Sequence, residues 1–412
     1  MKEQGIGVKE QGMELKERGI KLEEQEMEQC VGEASVKFRE PVEIMASASV
    51  VGTKEGQGPL GALFDQVGQD DYFGGKTWEE AESNLQKEAL RIALAKANLE
   101  PEDIRFLFAG DLLGQSIASS FGVSEFGIPH FGLYGACSTC GEALSLGAMA
   151  IAGGFAEQVA CVTSSHFASA EREFRFPLEY GNQRPLSASW TVTGSGAFLL
   201  RRASCQEPGR AEHGTSWQEP GRAGIGEGQR AHESMENAEK NRKWACEEKG
   251  RSMRARARIL GMTAGRIVDY GLKDSMNMGA CMAPAAADTL VRHFKDWGRS
   301  PADYDHVITG DLGSIGRTAF LDLLAMKGID LAEKHLDCGM LIYDADRQDV
   351  HAGGSGCGCC AVTLSAWILK QLEEGFWKRV LFLPTGALLS KTSFNEGKTV
   401  PCICHALVLE GA

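Results

Sequence analysis

Three features of the sequence predict an α/β fold built from two similar halves. Short apolar runs ending in small residues alternate with amphipathic segments, the pattern of layered sheets and helices. One ordered set of motifs occurs twice along the chain. At 412 residues the chain also exceeds the usual size of a single hydrophobic core.

Taken in order, residues 1–36 read as a polar, heptad-like extension. Ile6, Met13, Ile20 and Met27 recur at a fixed interval, as do Val8, Leu15 and Leu22. The two sets fall on opposite sides of a helix, so they lack the apolar seam of a coiled coil. Residues 37–202 form the first half, with strand-like "IRFLFAG" (104–110) and "QVACVTSS" (158–165) and helical periodicity over 81–99. Residues 203–256 carry "QEPGRA" twice, at 206–211 and 218–223, then a charged stretch. Such low-complexity composition cannot bury a core and predicts a disordered insertion. Residues 257–412 form the second half. There "VITGDLGSIGR" (307–317) echoes "FLFAGDLLGQS" (106–116), and "EGFWKRVLFLPTG" (374–386) echoes "GGFAEQVACVTSS" (153–165). "TGSGAFLLR" (193–201) and "CICHALVLE" (402–410) then read as matching closing strands.

Composition narrows the functional classes. A formal net charge of -13 gives no general attraction to nucleic acid. No apolar run reaches the roughly 20 residues needed to span a bilayer, and "MKEQGIGVKEQG" has no apolar signal core, so an intracellular protein is expected. Thirteen cysteines, an odd number without regular spacing, suit reduced thiols better than a disulfide framework.

The chemistry-bearing residues cluster at turns. In "YGACSTCGEALSLGAMAIAGG" (134–154), Thr139 and Glu142 spell a T-x-x-E capping box. It would start a helix near residue 140 and set Cys137 at its electropositive end, where thiol pKa values fall and anions bind. A nucleophile and a small buried residue both satisfy that position. Cys137 and Cys140 also make a C-x-x-C, with Cys357, Cys359 and Cys360 in the other half, but C-G-C-C is not a common zinc spacing. No metal or cofactor is expected. "TSSHFASAEREFRFPLEYG" (163–181) brings Ser164, Ser165 and His166 to a strand end, followed by Arg172 and Arg175. Asp111 and Asp311 each close a strand in "GDL", a repeat that suggests helix capping or loop tying as much as catalysis. "HAGGSGCGCC" (351–360) lacks the nucleotide-binding glycine fingerprints.

Read together, "AGDLLGQ", "GACST", "TSSHFASAEREFR", "EYGNQRP", "TVTGSGA", "MAPAAADT", "LDCGMLIY", "AGGSGCGC" and "TGALLS" resemble the SpoVAD family of spore-forming bacteria, which has a thiolase-like fold. The resemblance covers about residues 40–202 and 257–410. It implies two pseudo-equivalent halves in a five-layered αβαβα arrangement, with Cys137 at the position of the thiolase nucleophile. Condensing enzymes of that fold bring in a histidine from the second half; here the corresponding strand end reads "TGDLGSIG", with Asp311 and no histidine. A nucleophile without its base loses the usual route to acyl transfer.

What the resemblance implies instead is a non-enzymatic subunit of the SpoVA complex that binds dipicolinic acid, pyridine-2,6-dicarboxylate, free or as its calcium chelate. The complex takes dipicolinate into the developing spore and releases it at germination. The implied ligand-binding residues are Asp111, Cys137, Ser164, Ser165 and His166, with an arginine from Arg172, Arg175 or Arg184. Also implied are other SpoVA subunits as partners, peripheral attachment to the cytoplasmic side of the spore inner membrane, and a homodimer. Cys140 and Cys360 stand where the family's turns usually carry serine or another small residue. The alternative reading is a Cys-dependent acyltransferase or condensing enzyme that uses His166 as its base. A third is a structural platform with a vestigial pocket.

Overall fold

The structure, a computed structural model, describes residues 29–174, 184–203 and 254–412. The heptad-like repeats of 1–28 and nearly all of the low-complexity insertion lie outside the described residues.

Ten strands carry the fold. In the first half these are β1 (Ser35–Val51), β2 (Phe106–Gly110), β3 (His130–Leu133), β4 (Gln158–Ser165) and β5 (Gly194–Arg202). In the second they are β6 (Ala257–Thr263), β7 (His306–Thr309), β8 (His335–Asp337), β9 (Arg379–Leu383) and β10 (Ala406–Glu410). Their spatial order is β8-β7-β9-β10-β6-β1-β5-β4-β2-β3, so each half repeats the order of the other as a mirror image about the β1/β6 pair. Pairing sense repeats too: β2 is parallel to β3 and β4, as β7 is to β8 and β9, and the closing strands β5 and β10 run antiparallel to their neighbours. This is the duplication predicted from the echo. Residues 30–36 already belong to it, since Cys30–Val31 pairs with the start of β1.

Alternation along the strands sorts the helices into layers. In β5, Phe198 and Leu200 join an inner core with α2 (Thr139–Ala152) and α6 (Cys357–Thr363), while Ala197 and Leu199 face an outer core with α1 (Trp78–Ala97). In the second half Phe382 points inward, and Leu381 and Leu383 pack outward with α4 (Met278–Trp297) and α5 (Gly313–Ala325). Helices α2 and α6 thus lie between two sheet halves with one helical layer outside each, giving αβαβα.

Local sequence accounts for the helix ends. Thr77 caps α1 by accepting from Glu80 N–H at 3.1 Å, and Asn98 closes it in the left-handed region. Leu85, Ala89, Leu90, Ala93 and Leu94 fill the buried face, each leucine contributing about 2 kcal/mol by burial. Close approach of α6 to β5 requires glycine: a Cβ on Gly358 would stand 2.3 Å from the Gly194 carbonyl oxygen. The layers place the C-terminal ends of β2, β4, β7 and β9 around the starts of α2 and α6.

Candidate functional site

Cys137 follows Ala136, whose φ of 50° puts a residue with a Cβ in the left-handed region at a cost on the order of 1 kcal/mol. Side chains on both sides fix that turn. Ser138 Oγ donates to Gly135 O at 2.7 Å; Thr139 Oγ1 donates to Ala136 O at 2.6 Å and accepts from Gly135 N–H at 3.0 Å. Helix α2 begins at Thr139, as expected, but without the predicted capping box. Thr139 is already inside the helix and spends its hydroxyl backwards, and Glu142 Oε2 is buried with no hydrogen-bond partner among the described residues.

The thiol of Cys137 crosses to the other half. There it meets the carboxylate of Asp311, which accepts from Thr385 Oγ1 at 2.7 Å and from Gly356 N–H at 3.0 Å. Burial pushes the Asp311 carboxyl up to about 7. Burial first, and then the charge of Asp311, hold the Cys137 thiol well above its ordinary range. The helix start therefore does not yield a thiolate: a neighbouring carboxylate and a dry environment outweigh the dipole.

Beside the sulfur is a cleft of about 20 Å³, lined by Leu112, Ala136, Cys137, Ala170, Glu171, Thr191, Met278, Ser355, Ala387 and Leu389. That is room for roughly one water. Of the predicted residues whose side chains are described, Cys137 is the one lining this cleft. Asp111 instead ties its own loop, accepting from Leu113 N–H (2.8 Å), Ser119 N–H (2.7 Å) and Ser119 Oγ (2.6 Å). Ser164 Oγ donates to buried Glu82 at 3.0 Å and accepts from Gln86 Nε2 at 3.2 Å. Burial raises the carboxyls of Glu82 and Asp111 together. Ser165 Oγ donates to Val192 O (2.7 Å) and accepts from Gly358 N–H (3.1 Å), stitching the two halves together.

His166 turns both ring nitrogens to backbone groups rather than to the thiol. Its Nδ1 accepts from Ala168 N–H at 3.2 Å, which leaves the proton on Nε2 to donate to Asp71 O at 2.7 Å. Burial lowers its pKa, so the ring is neutral. Arg172 lies in α3 (Phe167–Phe174); its side chain, and all of Arg175, lie outside the described residues. Arg184 is buried, pairs with Asp349 at 2.9 Å and sits 4.7 Å over the Trp190 ring.

The five histidines of the second half are each bonded elsewhere: His293 to Thr263 and Tyr304, His306 to Lys334 O, His335 to Thr309, His351 to Pro185 O and His405 to Gly265 N–H. The two C-x-x-C pairs meet between the halves, where Cys360 Sγ lies 3.8 Å from the Cys137 carbonyl oxygen and Cys357 Sγ donates to Ser164 O at 2.8 Å. The eleven described cysteines are free, and no group of three or more metal-ligating side chains occurs among the described residues.

Sequence reasoning missed Asp311 as the partner of Cys137. The "GDL" repeat flagged the residue, but its role depends on the pseudo-twofold arrangement that swings the end of β7 toward α2. Met278, Ala387 and Leu389 carried no local signal.

Five layers with a cysteine at the start of an inner helix define the thiolase-like class. Two solved structures share the fold: acetyl-CoA acetyltransferase from Syntrophomonas wolfei (TM-score 0.53, 11% identity, 90% of this chain and 100% of that one) and Xanthomonas campestris OleA with bound lauric acid and lauroyl-CoA (TM-score 0.51, 15% identity, 90% and 99%). Within the class, the family model for Stage V sporulation protein AD (SpoVAD) matches residues 32–211 and 248–410. Stage V sporulation protein AD of Bacillus subtilis (strain 168) is 39% identical over 381 residues, covering 92% of this chain and 98% of the relative. The chain belongs to the SpoVAD family.

Proposed function

We propose that this protein is a non-enzymatic receptor for dipicolinic acid, free or as its calcium chelate, and that it serves a SpoVA complex in dipicolinate uptake by the developing spore and release at germination. The observation that carries the non-enzymatic reading is the Cys137–Asp311 contact. The thiolase-type cysteine meets a carboxylate instead of an imidazole, and a carboxylate favours thiol over thiolate. The scaffold keeps a helix start and a cleft at the old reaction centre while withholding the nucleophile.

The cleft is narrower than dipicolinate, so binding requires Met278 and Leu389, on the second half, to move away from Leu112 and Ala170 on the first. Charge-assisted hydrogen bonds to each ligand carboxylate would contribute about 1.5–3 kcal/mol before desolvation is counted. The edge strand β3 exposes His130, Phe131 and Gly132 and has no strand on its outer side among the described residues, which suits pairing with a second copy. No helix among the described residues is long and apolar enough to cross a membrane, and attachment at the spore inner membrane would be peripheral, through other SpoVA subunits.

Calorimetric titration of the purified protein with dipicolinate at low salt tests the reading. Saturable heat that weakens in a Cys137→Leu variant, whose side chain fills the cleft, is expected. Absence of heat from the parent protein, with and without calcium, would contradict it.

A further inference from the structure

We propose that ligand binding at the Cys137 cleft is proton-linked: one proton is taken up by Asp311 for each dicarboxylate dianion bound. This rests on the ligand reading above and adds a residue that sets the charge state the cleft accepts.

The geometry carries the inference. Asp311 is buried at 2% exposure, directly behind the thiol that lines the cleft. Two neutral donors hold it, the Thr385 hydroxyl and the Gly356 N–H, and the neutral Cys137 thiol lies beside it. The other titratable groups facing it offer no positive charge. Asp337, at the end of β8, is a second buried carboxylate that accepts from Thr309 Oγ1 (2.6 Å), Leu312 N–H (2.8 Å) and Gly313 N–H (3.0 Å). Cys338, Cys359, Cys402 and Cys404 face it as high-pKa thiols.

A ligand carboxylate arriving at Cys137 meets two obstacles. The carboxylate of Asp311 repels it through dry protein, and the same charge draws the Cys137 S–H toward Asp311 and away from the ligand. Protonating Asp311 removes both. Asp–COO⁻ takes H⁺ from solvent to become Asp–COOH, its new O–H donates to Cys137 Sγ, and the thiol hydrogen turns to the ligand oxygen. No bond to sulfur changes, and the one proton entering with the dianion offsets one of its two negative charges. The Asp311 carboxyl, at about 7, is available for this step near neutrality. Ordinary carboxyls titrate near pH 4, so the ligand stays fully ionised from pH 6 to 8 and is not itself the proton acceptor.

Calorimetry of dipicolinate binding in phosphate and in Tris at one pH separates binding heat from buffer ionisation. Roughly one proton per ligand is expected to be taken up at pH 8, falling toward zero at pH 6. The Kd should weaken about tenfold per pH unit above 7. In Asp311→Asn the heat should become independent of buffer and the Kd independent of pH. Buffer-independent heat in the parent protein at pH 8 overturns the proposal while leaving the receptor intact, and needs no variant to fold. Uptake that persists in Asp311→Asn assigns the proton elsewhere and also overturns it. Absence of heat in every condition removes the receptor itself.

Discussion

Cys137 and Cys357 occupy matching places, each at the start of an inner helix, each followed three residues on by another cysteine. Their surroundings differ. Cys357 donates to a backbone carbonyl of Ser164 and is sealed in the core, whereas Cys137 meets the Asp311 carboxylate and lines a cleft. The aspartates diverge in the same way: Asp111 is consumed by three donors of its own loop, and the charge of Asp311 acts on Cys137 of the other half. Duplication supplied two equivalent corners. One became structure and the other kept an opening.

Asp111→Ala should produce the largest effect. It strands three buried donors beside Glu82, and urea denaturation should show a loss of about 4 kcal/mol, against about 1 kcal/mol for Asp311→Asn, which keeps an acceptor for Thr385. Equal losses would erase the distinction between the two corners. Next comes pH. The folded-state value of Asp311 lies above the unfolded one, so its contribution to stability is full below about pH 4 and is lost as pH rises through 7. The stability of the parent protein relative to Asp311→Asn should therefore fall by about 3 kcal/mol between pH 4 and 7, measured by denaturation at each pH.

A smaller effect sharpens the contrast at the sulfurs. Peptide-mapped iodoacetamide labelling should speed up roughly tenfold at Cys137 in Asp311→Asn, the equivalent of one pKa unit, with Cys357 unchanged. The smallest concerns the two turns. Gly356, at φ 104°, stands 2.6 Å from Ser165 Oγ when given a Cβ, but Ala136 holds a positive φ of 50° with its side chain in place. Ala136→Gly should change the unfolding free energy in urea by less than about 0.5 kcal/mol, since relief of strain offsets the freedom gained by the unfolded chain.

Much of the architecture could be read from the sequence because duplication is written twice. The strands β2 and β7, β4 and β9, and β5 and β10 each keep the same order and pairing sense, and "QVACVTSS" coincides with β4. The site was less legible. His166 and Ser165 follow a buried strand, the usual place for functional side chains, yet the sequence does not say which way they turn. Ala168 N–H and the approach of α6 decide that. Asp311 could be placed at a strand end but not against a thiol 174 residues earlier, because that contact exists only after the halves have folded against each other. The helix dipole argument for an activated Cys137 failed for the same reason: it weighed a local field without the carboxylate supplied by the partner half.

The central claim is that Asp311 keeps Cys137 a thiol, so that the cleft binds without reacting. Mass spectrometry of the Cys137 peptide after incubation with a short-chain acyl-CoA tests it most directly. The unmodified mass is predicted. An acyl adduct on Cys137 that is absent from Cys137→Ser would contradict the account and return the protein to the acyltransferases.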